Sequence, residues 1–125
     1  VYMMIEGMIR EIGGPGLVIG NHVTIRSGDG AYATVAHLQQ GSLTVKVGDR
    51  VTAGTVIGGC GNSGNTSEPH VHAQLMDRAS LWTAQGLPMS FSGITLDNHP
   101  EAVDALPANE QHMTATGERH EALPR

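Results

Sequence analysis

The sequence predicts an all-β fold, mostly antiparallel, arranged as a small sandwich or partly open barrel. Three observations predict it. Seventeen glycines and six prolines in 125 residues interrupt the chain too often for a helical protein. Between them lie short runs in which apolar and polar residues alternate, Val23-Thr24-Ile25-Arg26 among them, the period of a strand with one buried face. Hydrophobic residues make up 39% and aromatics 3%. The core must therefore come from Val, Ile, Leu, Met and Ala, and the length allows one domain.

Taken in order, residues 1–12 carry Val1, Met3, Ile5, Met8, Ile9 and Ile12 in a loosely alternating pattern broken by Gly7, which reads as one or two strands. Gly13-Gly14-Pro15-Gly16 is a loop. Leu17 to Arg26 reads as a strand, with Val23 and Ile25 inward and Thr24 and Arg26 outward. Ser27-Gly28-Asp29-Gly30 is a hairpin turn, since Asp-Gly supplies the positive φ that a tight turn needs, and Ala31 to Leu38 returns. Residues 41–51 alternate short β segments with Gly-Asp punctuation, and Thr55 to Cys60 is a further strand. Residues 61–67, all small or polar, form a loop that leads into a strand over His70–Met76. Leu81 to Gln85 reads as a short helical turn and Met89 to Leu96 as one more strand. The first 97 residues thus form the domain. From 98 to 125 the chain turns to Glu, His, Ala and Pro without a period, so a poorly ordered extension is expected, with His99, His112 and His120 as solvated residues.

A net charge of −5, with one lysine (Lys46) and six arginines, leaves no basic patch for nucleic acid. The single Cys60 rules out an internal disulfide and a cysteine zinc cluster; it is expected to pack as a small hydrophobe. The longest apolar runs fall far short of the ~18 residues of a membrane span. No run reads as a signal peptide. Val1 falls inside a β-like pattern, so an upstream segment is expected.

The chemistry concentrates in histidines. In Pro69-His70-Val71-His72, two imidazoles at i and i+2 leave one face of a strand, and at ~3.3 Å rise per residue both reach one zinc-sized site. His37, in Val35-Ala36-His37-Leu38, ends another strand-like run. His22 reads as structural. Asp29 and Asp49 sit in glycine-flanked turns, where aspartate bonds the backbone. Asn62 and Asn65 either shape their loop or line a groove. Trp82, the lone tryptophan, is expected to dock the C-terminal segment.

Four ordered segments resemble the lysostaphin-type (LytM-like) zinc metallopeptidases of bacterial cell envelopes. They are Gly20-Asn21-His22-Val23-Thr24-Ile25 with Ala36-His37-Leu38; Gly48-Asp49-Arg50-Val51-Thr52-Ala53-Gly54-Thr55-Val56-Ile57-Gly58; Gly61-Asn62-Ser63-Gly64-Asn65-Thr66; and Pro69-His70-Val71-His72. The resemblance spans roughly residues 5–77. It implies a barrel-sandwich hybrid of the duplicated-hybrid-motif type, with a peptidoglycan peptide as substrate in the cell envelope or outside the cell. It also implies His72 as a zinc ligand and His37 and His70 as catalytic histidines. Zinc lowers the pKa of a bound water to ~7, and a neighbouring imidazole serves as base or as oxyanion donor.

One departure bears on activity. The family's other two zinc ligands come from an upstream His-x-x-x-Asp motif. Before Gly20 this chain has no histidine or aspartate, only Glu6 and Glu11. Two readings follow: an N-terminally incomplete metalloendopeptidase domain, weak or inactive alone, or a degenerate domain that binds peptidoglycan or regulates a partner hydrolase. Val1 opening mid-pattern favours the first. A third reading, a biotinyl- or lipoyl-type carrier, would use the turn pattern Val47–Gly54 but needs a lysine at a hairpin tip. Lys46 sits within Val45-Lys46-Val47, expected to be strand. A sugar-uptake phosphocarrier, also using paired histidines, explains the His-x-His spacing less well.

Overall fold

The computed structural model describes residues 7–14 and 18–115, and the expectations for 1–6, 15–17 and 116–125, His120 included, lie outside them. Among the described residues there are nine strands and no helix: β1 (Gly7–Gly13), β2 (His22–Arg26), β3 (Tyr32–Ala36), β4 (Arg50–Val51), β5 (His72–Met76), β6 (Gly86–Leu87), β7 (Phe91–Leu96), β8 (Val103–Ala105) and β9 (Met113–Ala115). Six form one sheet in the order β4-β1-β2-β3-β5-β6, and three form a second in the order β8-β7-β9. Every pairing is antiparallel, and the six-stranded sheet is open, with two-residue strands at both edges. This is the predicted all-β, incompletely closed architecture.

The Ser27–Gly30 turn closes β2 onto β3 as its residues require. Gly30 takes φ +90, Ser27 N–H donates to Ala31 O at 2.9 Å, and the Asp29 carboxylate accepts from the Ala31 amide at 3.1 Å and from the Ser27 hydroxyl. In β1 the register shifts between Ile9 and Glu11, so one extra residue bulges out and the apolar set stays on one face. That face holds the buried Ile9, Val23, Ile25, Val35, Leu38 and Val51, with Ile12, Leu43, Val45, Ile57 and Val71 packed against them.

Several expectations are corrected. Thr24, read as outward, is fully buried. It lies directly across from Thr34, and the two hydroxyls bond at 2.9 Å, so a polar pair occupies the second face at the centre of the sheet. In the stretch read as strand before His22, the described residues 18–21 are not strand, because Gly20 turns the chain with φ +61. Residues 55–60 form no strand; they attach through single bonds such as Thr44 N–H to Ile57 O at 3.2 Å and Gln39 N–H to Gly59 O at 2.9 Å. Lys46 opens a tight turn, accepting from Asp49 N–H at 3.1 Å, and is not in a strand. The Asp49 carboxylate accepts from the Lys46 amide at 2.9 Å. Residues 81–85 contribute one turn, with Ala84 N–H to Ser80 O at 2.9 Å. Cys60 is exposed, and Trp82, expected to dock the C-terminal segment, is 83% exposed.

Residues 98–115, expected to lack order, contain β8 and β9, which pair with the two sides of β7. The order comes from contacts distant in the chain. Asp97 takes φ +51, and its carboxylate receives the His112 amide at 3.0 Å and the Gln111 side chain at 3.3 Å. An acidic residue thereby fastens the chain that enters β9, without a hydrophobic period to announce it.

Candidate functional site

His37 follows β3 immediately and adopts φ +60, a left-handed backbone uncommon for a residue with a Cβ. Its own N–H donates to Ile19 O at 3.0 Å, and the next amide, Leu38 N–H, to Asn21 O at 2.9 Å. The turn before β2 therefore grips the chain on both sides of the strained residue. The loop at 61–67 completes the grip. Ser63 Oγ accepts from Asn21 N–H at 2.9 Å and donates to Leu38 O at 2.7 Å, while Asn21 Nδ2 donates to Leu38 O at 3.3 Å. Asn65 N–H reaches Val18 O at 2.8 Å, so Asn65 shapes the loop through its backbone.

The buried His37 ring faces Ser63 O through Nδ1 at 2.8 Å. A carbonyl only accepts, so Nδ1 carries the hydrogen and Nε2 keeps the lone pair. The same reasoning holds for His70. Its Nδ1 lies 2.8 Å from Glu68 O and 3.0 Å from Thr66 Oγ1, whose hydroxyl is itself committed to Glu68 O at 2.9 Å. His70 therefore also presents a lone-pair Nε2. Its main chain is held by a bond from its N–H to Gly61 O at 3.1 Å.

Cross-strand register places Ala36 opposite His72 and Thr34 opposite Gln74. His72 thus begins β5 beside the end of β3, and Gln74 stands two residues on, on the same face. His72 Nε2 lies 2.9 Å from Gln74 Oε1, and the Gln74 amide nitrogen donates to Met76 Sδ at 3.0 Å. With Oε1 as acceptor, His72 carries its hydrogen on Nε2 and offers Nδ1.

The three histidines singled out in the sequence meet. The His37 and His70 ring centroids are 4.6 Å apart, and those of His37 and His72 are 5.9 Å apart, edge to face. His70 and His72 are exposed, so the cluster opens to solvent on one side. His22 is fully buried and bonds Gly20 O through Nδ1 at 3.0 Å, a structural role as read. Sequence reasoning missed Asn21, Ser63, Thr66 and Gln74. For Ser63 a signal existed: a hydroxyl residue between asparagine and glycine in a loop built of small residues.

A catalytic zinc takes three protein ligands and leaves one position open. Among the described residues no group of three His, Cys, Asp or Glu is arranged to hold a metal ion. The described residues alone therefore do not fit a complete zinc site. Among them, too, no helix is long and apolar enough to cross a membrane.

A family model described as peptidase family M23 matches residues 1–84. Over 88 residues the chain is 40% identical to the glycyl-glycine endopeptidase ALE-1 of Staphylococcus capitis, covering 69% of this chain and 24% of that protein. Over 75 residues it is 35% identical to the peptidoglycan DD-endopeptidase ShyA of Vibrio cholerae, covering 58% of this chain and 17% of the relative. The structure is similar to the catalytic domain of the antimicrobial peptidase lysostaphin from Staphylococcus simulans, with TM-score 0.60 and 36% identity over 69% of this chain and 65% of that one. It also resembles a zinc containing peptidase from Vibrio cholerae, with TM-score 0.53 and 25% identity over 60% of this chain and 22% of the other. The chain spans about a quarter or less of the length of these curated relatives.

Proposed function

This chain belongs to peptidase family M23, and we propose that its domain hydrolyses peptide bonds of bacterial cell-wall peptidoglycan as part of a zinc metalloendopeptidase of the cell envelope or the exterior. The observation that carries the reading is the convergence of His37, His70 and His72, with the His37 and His70 rings 4.6 Å apart and each holding its Nδ1 against a backbone carbonyl. The relatives' names, glycyl-glycine endopeptidase and peptidoglycan DD-endopeptidase, supply the substrate class.

Hydrolysis of an amide needs a base for the attacking water, a donor for the tetrahedral oxyanion, and a proton for the leaving amine. His37 and His70 divide this work. Each holds its Nδ1 proton against a carbonyl, so each can take a proton at Nε2 without rotating, and the resulting imidazolium donates from the same atom. The buried, doubly gripped His37 keeps its direction; the exposed His70 faces incoming substrate. His72 is the one zinc ligand among the described residues, offering Nδ1. With a single ligand there, this chain holds zinc weakly and turns over slowly.

A second reading has an observation of its own. The lack of a three-residue metal group among the described residues favours a degenerate domain that binds peptidoglycan or regulates a partner hydrolase without cutting.

The test is incubation of the purified chain with peptidoglycan and zinc, counting new amino termini, with metal content measured by elemental analysis. We expect slow release that falls at least a hundredfold in His37→Ala and His70→Ala. Zinc content should lie below one per chain and drop further in His72→Ala. Release undiminished in both alanine variants would sink the catalytic assignment, and zinc retained in His72→Ala would remove that residue as ligand. Co-sedimentation with peptidoglycan and no release would establish the binding domain.

A further inference from the structure

The sheet has an open edge beside the imidazole cluster, and we infer that the peptide substrate binds there as an added strand, pairing its main chain with Val71 and Ala73. The inference rests on the peptidase reading above and specifies how that site holds its substrate.

Along a strand, backbone N–H and C=O groups point alternately to the two sides. Two hydrogen bonds set the phase of the segment 70–77. His70 N–H donates to Gly61 O at 3.1 Å, on the side of β3, and Asp77 N–H donates to Gln85 O at 3.1 Å, on the side of β6. Even-numbered residues thus turn their main chain inward and odd-numbered ones outward, and the two ends of the segment agree. β6 covers only Leu75 and Met76. Pro88 follows, and with no N–H it cannot donate to continue the ladder. β7, the next strand, has no Cα within 8 Å of β5. Among the described residues nothing bonds the outward groups of Val71 and Ala73. Two donors and two acceptors therefore stand in a row with His72 between them.

Natural sheets blunt such edges with charges, prolines or bulges. Here the edge carries Val71 and Ala73, whose side chains lie on the core side, with Val71 packed against the core. An extended peptide is the ligand that satisfies alternating donors and acceptors, and main-chain pairing of this kind is a recurrent mode of peptide recognition. A strand added in the lane of β6 lies ~4.8 Å from β5, alongside both His70 and His72. Directly opposed residues in neighbouring strands share a face, with Cβ atoms ~5 Å apart. The substrate residue opposite His72 therefore shares the face of the imidazoles, and a bulky side chain there would occupy their space. The occupant is an extended peptide with glycine at that position.

The probe is pentaglycine, titrated into the isotopically labelled chain without zinc, so that binding is read apart from cleavage. The Val71 and Ala73 amide protons should move downfield and exchange more slowly, while those of His70 and Gln74, already turned inward, should keep their exchange rates. Ala73→Pro deletes one outward donor from a position where proline's missing N–H breaks no ladder bond. It should weaken pentaglycine binding about five- to tenfold, the worth of one hydrogen bond. If that variant loses its dispersed spectrum, N-methylation of single pentaglycine amides against the unaltered chain makes the same test, and only alternate positions should matter. Shifts confined to His37, His70 and the 61–67 loop, no shift at millimolar pentaglycine, or equal loss from every N-methyl position would each overturn the edge. Digestion of peptidoglycan, measured separately, decides the hydrolase reading whichever way the edge falls.

Discussion

Gly20 and Gly64 lie backbone against backbone: a Cβ built on Gly64 would come within 2.4 Å of the Gly20 nitrogen, and one on Gly20 within 2.5 Å of the Gly64 nitrogen. Both residues take positive φ, +61 and +80. This contact lets the 61–67 loop descend far enough for Ser63 to bridge Asn21 and Leu38 and for its carbonyl to meet the His37 ring.

Gly64→Ala should therefore act on stability and on the site together. The left-handed backbone costs about 1 kcal/mol for alanine, and the clash is with main chain that cannot rotate away, so a total loss of about 2–4 kcal/mol is expected. Urea unfolding measures it. Ring nitrogen shifts of His37 should change in the same variant, because the Ser63 carbonyl is displaced. A variant as stable as the parent would show that the loop does not depend on this contact.

The buried Thr24–Thr34 pair makes a second prediction, with a sign that depends on how many partners are removed. Thr24→Val leaves the Thr34 hydroxyl buried and unpartnered, and should cost about 1–3 kcal/mol. Thr24→Val with Thr34→Val removes both polar groups at nearly constant volume and should recover most of that loss. Chemical denaturation of the two singles and the double closes the cycle. Additive losses would mean that the hydroxyls do not depend on each other.

Asp29 gives the pH dependence. The Ser27 hydroxyl and then the Ala31 amide hold its carboxylate below the usual value of 3.8. A carboxyl whose folded pKa is depressed binds its proton more readily when unfolded, so it contributes stability above about pH 4 that is lost as pH falls through the folded value. Carboxyl carbon shifts should show Asp29 titrating below an ordinary aspartate. Asp29→Asn should remove that part of the acid sensitivity and lower stability slightly at neutral pH, where the contribution is fully present. A midpoint at or above 3.8 would contradict the bonding seen in the hairpin.

Much of the fold was legible because its signals are local. Alternation at Val23 and Ile25, the Asp29-Gly30 turn, and two histidines at strand spacing all express backbone geometry within a few residues. The one-faced reading of Thr24 failed because alternation says which residues share a face, and it does not say whether the other face meets water. Thr34 had to arrive opposite Thr24 before a polar residue could be buried there. Residues 98–115 were misread for a related reason: their two strands are ordered by pairing to either side of β7, with the Asp97 carboxylate fastening only the chain just before β9.

The sequence by itself determined the strand-forming segments, the turns, and which histidines could share a site, since these follow from residue type and a two-residue period. Only the tertiary structure decided that His37 would stand against His70, which nitrogen of each ring keeps its proton, and that the outer edge of β5 stays open beside them. Those outcomes depend on carbonyls at Ser63 and Glu68 and on a proline after β6. A carbonyl's direction is a property of the folded backbone, set by residues distant in the chain.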